Sequence, residues 1–419
     1  MKKEIYFSNF SKFYNDKIGI EIRNNKDLSP NDILLAEKAE FNSEIPLDAI
    51  SVLGTNQQQA YSTHGIYRYF GKFPPSIATY LITQYTNSND IVMDPMSGSG
   101  STALECLILG RNCVANDVNP LSVQIIKAKV THLDYQKLMQ TLLQIEKDYR
   151  PLSIDEYNFY PANCNCEHWF LPETCDSLRG IKKLISEIKD EKIRNFYEII
   201  FASIIRKVSK ATTQQGRLFL DAETAIKNAF PIFKKKALKE IPNVSELPMI
   251  ENEAIKVFNQ DLKDDVFQSY KGKIQLIILH PPYFNSYKYS SINSLESSWL
   301  EINRTEVRKH EIREFFKVGK PERYIDYVND MEIALNKALT FLKKDGVLAL
   351  MIGDTIIKGE YIPVTQCLID KVDKTQYAIE KISIRVPKYT EASWVASQRR
   401  QKNNIGITIN DFIIIFRKK

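Results

Sequence analysis

Six cysteines in 419 residues are too few, and too irregularly spaced, for a disulfide framework. A reducing, cytoplasmic setting is therefore expected. No stretch approaches the roughly 20 apolar residues that cross a bilayer, and the opening MKKEIYFSNFSKFYND lacks the apolar core of a signal peptide. Neither secretion nor a membrane is expected. Low-complexity segments and evident linkers are also missing. No sign of charge dominates: 57 basic against 51 acidic residues leave +6, which suits a phosphate-bearing partner but is also ordinary for a soluble chain. The length suffices for one large α/β domain with an insertion, or for two domains.

What is present is a series of short apolar runs bounded by turn residues, at 91–93, 113–115, 255–258, 274–279 and 347–352. A compact apolar helix is expected over 102–109. Another is expected over 327–342, where Met331, Ala334, Leu335, Ala338, Leu339 and Leu342 recur at helical spacing. Strands alternating with helices imply an α/β fold with a doubly wound, mostly parallel sheet and ligands at the carboxyl ends of its strands. Asp94, Asp117, Asp261, His280 and Asp354 all fall at such ends.

Residues 131–249 read as helical throughout, far longer than a normal crossover, and are expected to form a helical insertion. Its Lys182, Lys183, Arg206, Lys207, Lys210, Arg217 and Lys234 to Lys236 suit either a duplex or a solvated helix face. Residues 1–60 show no periodicity and read as an N-terminal arm or accessory layer. The catalytic domain would then be 61–130 joined to 250–419.

Asp94-Pro95-Met96-Ser97-Gly98-Ser99-Gly100 follows a strand and precedes a helix, where a backbone must approach a ligand without interference from Cβ. A triphosphate loop needs Gly-Lys-Ser/Thr, and here Gly100 is followed by Ser101 and Thr102. A dinucleotide loop is formally possible, since Gly98 to Ala103 satisfies G-x-G-x-x-A and Asp117 ends the next strand. Asp94 argues against it, because a carboxylate there repels a pyrophosphate but suits an ammonium. S-adenosylmethionine has that ammonium and no phosphate. Asp117 is then expected to accept from both ribose hydroxyls, and Asp261 to take the adenine amino group or, with Asn259, to cap a turn.

The second motif is His280-Pro281-Pro282-Tyr283, emerging from the buried run 276–279. Two prolines remove two backbone donors and leave carbonyls as the main-chain polar groups. Such a site suits an N–H substrate. An exocyclic amino group of a base is a poor nucleophile, and two acceptors, each holding one N–H, would turn its lone pair toward a methyl donor. Tyr283 can stack on a flipped base, or simply pack in a rigid loop.

The pair DPMSGSGST and HPPY resembles the amino-group DNA methyltransferases, which make N4-methylcytosine or N6-methyladenine. That resemblance implies a Rossmann-like methyltransferase fold with an antiparallel last strand, here NDFIIIFRKK, and double-stranded DNA as partner. The family segment closing over the methionine end of the cofactor resembles THGIYRYFGKFPPSIATYLI, which implicates Lys72, Phe73 and Pro74. GVLALMIGDTIIKGEYIP resembles the border of the target-base pocket. A modification role beside a cognate restriction endonuclease is also implied. The family carries Asp, Asn or Ser where this chain has His280. A neutral imidazole can accept one hydrogen bond, so activity should fall at acidic pH. As His280 shares with Ser the lack of a carboxylate, cytosine N4 is favoured over adenine N6.

Methylation at cytosine C5 needs a cysteine nucleophile, usually beside a proline, and none of the six adjoins one. An RNA amino-group enzyme shares the chemistry, but residues 1–60 show no RNA-binding module. A binding module that kept the fold and lost the reaction is the non-enzymatic alternative. Cys164, Cys166, His168 and Cys175 do not follow a common zinc spacing, and no metal is expected. Trp299 reads as a helix-packing residue rather than a base wedge, and Arg399, Arg400 and Lys402 as a phosphate clamp or a solvated loop. Recognition of the target sequence falls to the insertion or to residues 284–324.

Overall fold

The computed structural model describes residues 19–28, 41, 44–212, 218–221, 223, 226–249, 254–262, 264–284, 289–312, 321–357, 360–386 and 407–419. Among them ten strands form one sheet: β1 (Ile20–Asn24), β2 (Leu47–Val52), β3 (Ile91–Asp94), β4 (Asn112–Asn116), β5 (Ile255–Phe258), β6 (Ile274–Leu279), β7 (Leu342–Ile357), β8 (Glu360–Ile362), β9 (Tyr377–Arg385) and β10 (Ile407–Lys418). The order is β1-β2-β9-β10-β7-β6-β3-β4-β5, with β8 beside β7. Strands β5, β4, β3, β6 and β7 pair in parallel, while β10 runs antiparallel to both β7 and β9. This is the Rossmann-like arrangement, and its order reverses between β3 and β6, where such sheets bind ligands.

Both faces of the central strands are buried, which explains their continuous apolar runs. Along β6, Leu276 and Ile278 face a layer containing Ile77 and Leu81 of helix α1 (Pro75–Tyr85). Ile277 and Leu279 face the opposite layer, with Met331 and Leu335. Helix α2 (Ser101–Leu109) starts at Gly100 and stops at Gly110, both left-handed, and the Gly110 N–H caps the last turn. Helix α3 (Pro120–Val130) has proline at its first position, and the Asn119 side chain accepts from Leu121 N.

The segment expected to be helical contains α4 (Tyr135–Asp148), α5 (Pro172–Ser186), α6 (Glu191–Val208) and α7 (Phe230–Ser245). Their apolar faces share one core with Trp299, which is fully buried, its ring centroid 5.6, 5.9 and 6.0 Å from Phe159, Phe170 and Phe201. Trp299 is thus a packing residue. Further on, α8 (Arg304–His310) and α9 (Tyr324–Leu339) lead into β7.

The N-terminal region differs from an arm or separate layer: β2 pairs in parallel with β9 and β1 extends the sheet antiparallel to β2. From Asp48 to Val52 every residue of β2 is buried, so no polar alternation marks it as a strand. Strand β9 was also unanticipated, because Glu380, Lys381 and Arg385 interrupt its apolar pattern. Each of these is ion-paired in the fold: Glu380 with Arg417, Lys381 with Asp48 and Arg385 with Asp411.

Candidate active site

A cleft of about 370 Å³ opens at the carboxyl ends of the central strands, within the size range of cofactor sites. Phe73, Asp94, Pro95, Ser97, Gly98, Asp117, Asp261, His280 and Pro282 line it together. Lys72, Pro74, Gly100, Pro281 and Tyr283 are not among the lining residues.

The glycine loop is tied to the end of β4 by a short ladder. Ser97 N donates to the Asn116 carbonyl at 2.8 Å, and Ser97 Oγ to the Asp94 carbonyl at 2.7 Å. Gly98 N donates to Asp117 Oδ2 at 2.8 Å, while Asn119 N donates to Asp117 Oδ1 at 2.9 Å. Asp117 is therefore oriented by two backbone donors, each carboxylate oxygen retaining acceptor capacity. Gly98 and Gly100 have φ of +48° and +71°, and a Cβ on Gly100 would stand 2.7 Å from Ile126 Cγ1. Position 100 tolerates neither the conformation nor the volume of another residue.

Burial dominates the electrostatics. It raises Asp94 to about 7, helped by the nearby charge of Asp117 and opposed by the bond from Met96 N. Burial likewise raises Asp117 to about 6, against the donors of Asn119 and Gly98. Two carboxylates near neutrality in one wall favour a cationic ligand and disfavour a pyrophosphate. The residues present therefore fit the ammonium and ribose of S-adenosylmethionine.

A neutral acceptor lines the same cleft. His280 lies at the end of β6 with its ring centroid 5.3 Å from Phe73 and 5.4 Å from Tyr283, edge-on to the latter. Burial lowers its pKa to about 4, Asp411 acting the other way. The expected acidic loss of the imidazole acceptor thus moves well below the ordinary histidine range. Tyr327 Oη donates to the Pro282 carbonyl at 2.6 Å, so that carbonyl is already engaged.

Lys72 departs from the place the family resemblance implied for it. Its ammonium donates to the carbonyls of Gln59 and His64 at 3.4 and 3.3 Å, and burial lowers it to about 8. Pro74 caps the start of α1 instead of meeting the cleft. The wall also includes residues that were not anticipated: Tyr69, Asn116, His310, Asp330 and Lys337. His310 Nδ1 lies 3.8 Å from Asp261 Oδ2. Helices α8 and α9 bring His310, Asp330 and Lys337 over the strand ends, and no strand-end signal marks these three in the sequence. Asn116 sits next to Asp117 and could have been suspected; its side-chain amide donates to the carbonyls of Pro95 and Gln260.

Several basic residues of the insertion are engaged within the protein. Lys182 pairs with Glu301, Lys183 with Glu187, Lys234 with Glu146 and Lys236 with Glu240. Lys210 donates to the Glu167 carbonyl and Arg206 to that of Thr212. Arg217, Arg399, Arg400 and Lys402 lie outside the described residues. Cys164, Cys166 and Cys175 are buried and unbridged. Among the described residues no group of three His, Cys, Asp or Glu could hold a metal ion, and no helix is long and apolar enough to cross a membrane.

Comparison with known proteins agrees with this chemistry. Residues 75–340 match the family of D12 class N6 adenine-specific DNA methyltransferases, and residues 2–128 match a DNA methylase family. The chain is similar to Type II methyltransferase M.MvaI of Kocuria varians, at 25% identity over 68% of each protein. It is also similar to Type II methyltransferase M.MjaII of Methanocaldococcus jannaschii, at 34% identity over 22% of this chain and 17% of that protein. An rRNA methylase structure from Streptococcus thermophilus overlaps 83% of this chain and 98% of its own, at 10% identity and a TM-score of 0.29. That likeness carries no weight beside the strand order itself. The chain belongs to the amino-group DNA methyltransferases that the D12 class represents. It is an S-adenosylmethionine-dependent enzyme acting on DNA.

Proposed function

We propose that this enzyme methylates the N4 amino group of a cytosine flipped out of double-stranded DNA, as the modification partner of a restriction endonuclease with the same site. The observation that carries the choice of base is the neutral His280 acceptor at the end of β6, in a position where a carboxylate would favour adenine. When bound, S-adenosylmethionine supplies an electrophilic methyl group on a sulfonium sulfur. Asp94 would hold its ammonium, Asp117 its ribose hydroxyls and Asp261 its adenine amino group, with Phe73 against the methionine end.

On the substrate side, an imidazole nitrogen of His280 and the Pro281 carbonyl would each accept one N–H of the target amino group. The nitrogen's lone pair is then directed at the methyl carbon; the N–C bond would form as the methyl's bond to the sulfonium sulfur breaks, and the proton released from the nitrogen would pass to the His280 imidazole nitrogen that holds it and from there to solvent. Tyr283, edge-on to His280, gives the flipped base an aromatic neighbour.

The test is transfer of labelled methyl groups to mixed-sequence DNA, with RNA as control, followed by digestion to nucleosides. N4-methylcytosine supports the reading. N6-methyladenine, which the D12 family description favours, replaces it with the second reading. Product on RNA alone would overturn both. The restriction role rests on the similarity to type II enzymes. It predicts that modified DNA resists an endonuclease cutting at the methylated site.

A further inference from the structure

Behind the glycine loop, away from the cleft, lies a charged group that the proposed chemistry does not use. Lys129, near the end of α3, is fully buried, and its Nζ donates to the carbonyl of Ser99 between the two left-handed glycines. An ammonium removed from water is costly unless it is compensated, and a methionine would fill a helix–helix contact without that cost. Compensation comes from a buried cluster. Glu105 of α2 accepts from Tyr61 Oη at 2.5 Å and from Thr79 Oγ1 at 2.5 Å, and its Oε1 lies 2.7 Å from His64 Nε2. Lys72, held by the carbonyls of Gln59 and His64, is the other cation within electrostatic range of Glu105. Burial raises Glu105 to about 7 and pushes Lys129 and His64 well down, consistent with groups that share one enclosed charge balance.

The glycines explain why the loop needs such an anchor. Glycine itself sets no barrier to rotation of the peptide plane that ends on it, so the Ser99–Gly100 plane is held only by what bonds to it: the Gly100 N–H donates to the Ser97 carbonyl at 2.7 Å, and Lys129 holds the other end. Ser99 belongs to the cleft wall, so rotation of the Ser99–Gly100 plane would change what the wall presents. We propose that Lys129 is a positioning residue of the cofactor loop, fixing the Ser99 carbonyl to the rear so that the front of the loop keeps the shape that receives S-adenosylmethionine. The bond from Lys129 Nζ supplies this orientation, and Glu105 within electrostatic range favours the protonated amine against the effect of burial.

The proposal rests on the reading of this loop as the cofactor cradle, and its test separates the two. S-adenosylmethionine binding to the full-length protein is measured by calorimetry, alongside denaturant unfolding and steady-state kinetics. Lys129→Met should stay folded but unfold at a lower denaturant concentration than wild type, since it leaves the Ser99 carbonyl and Glu105 short of a partner. It should also bind the cofactor at least about tenfold more weakly. KM for S-adenosylmethionine should rise, with KM for DNA and saturated kcat near wild type. A folded Met variant with wild-type cofactor affinity overturns the proposal, as does one whose KM for DNA rises equally. If the Met variant does not fold, Lys129→Gln decides. Its amide nitrogen, one bond nearer the backbone, keeps a neutral donor toward Ser99; affinity clearly closer to wild type than that of a folded Lys129→Ala supports the proposal, whereas affinity no better than that of Lys129→Ala overturns it. Wild-type binding that survives Asp94→Asn unchanged would sink the cradle reading itself, whatever Lys129 does.

Discussion

The two walls of the cleft are shaped by the same physical force with opposite consequences. Desolvation lifts Asp94 and Asp117 to about 7 and 6, so the carboxylate wall titrates close to neutrality. On the facing wall it drops His280 to about 4, which leaves that imidazole neutral across the physiological range. Burial disfavours the charged form of every group. The two carboxylates are consequently sensitive to pH near neutrality and ready to gain from a cationic ligand, while His280 is indifferent to pH in that range and offers a constant acceptor. A histidine in place of an acidic residue need not make the chemistry acid-sensitive, provided that it is buried.

The contrast is broken most severely at His280. His280→Ala removes one of the two proposed acceptors, and by analogy with loss of one preorganised hydrogen-bonding group kcat should fall by about 10²-fold or more. Cofactor affinity should be preserved in a binding titration. Asp94→Asn addresses the other wall: a lost charge-assisted contact is worth roughly 1.5–3 kcal/mol, so S-adenosylmethionine should bind about 10–100-fold more weakly with saturated kcat little changed.

A pH series sharpens the comparison without mutation. As pH falls through about 7 and then about 6, Asp94 and Asp117 gain protons in the free enzyme and lose their attraction for the ammonium and the ribose. KM for the cofactor should therefore climb, approaching about tenfold per unit for each carboxylate well below its own pKa. Cofactor binding near pH 6.5 should release protons, read from calorimetry in buffers of different ionisation enthalpy. His280→Ser should keep this acidic limb, because His280 does not titrate there; a limb that disappears with the substitution would reassign it to the imidazole.

The smallest effect is expected at Lys72. Because its ammonium is committed to Gln59 and His64 carbonyls, Lys72→Met should weaken cofactor binding less than Asp94→Asn does. A larger loss would restore Lys72 to the methionine end of the site.

The central strands were legible because burial on both faces writes an uninterrupted apolar run, as in Leu276 to Leu279. The loop residues at their ends were legible because glycine, proline and aspartate there answer to local backbone and charge requirements. Strand β9 was not, since its charges are neutralised by partners far along the chain, as Lys381 is by Asp48. His310, Asp330 and Lys337 were hidden for a related reason: helices reach the cleft by packing, and packing leaves no local mark on the polar residues it delivers. The insertion's cations looked available for phosphates, but Lys182 and Lys236 already have carboxylates as neighbours.

By itself the sequence determined the class of chemistry, because a glycine loop without lysine, a carboxylate at its mouth and a Pro-Pro pair are local features whose meaning survives without knowledge of their neighbours. Tertiary structure decided the state of those groups. Whether Asp94 and His280 are charged, whether Lys72 reaches the cofactor and what holds the back of the glycine loop all depend on which distant residues exclude water from them, and desolvation is a property of the assembled fold.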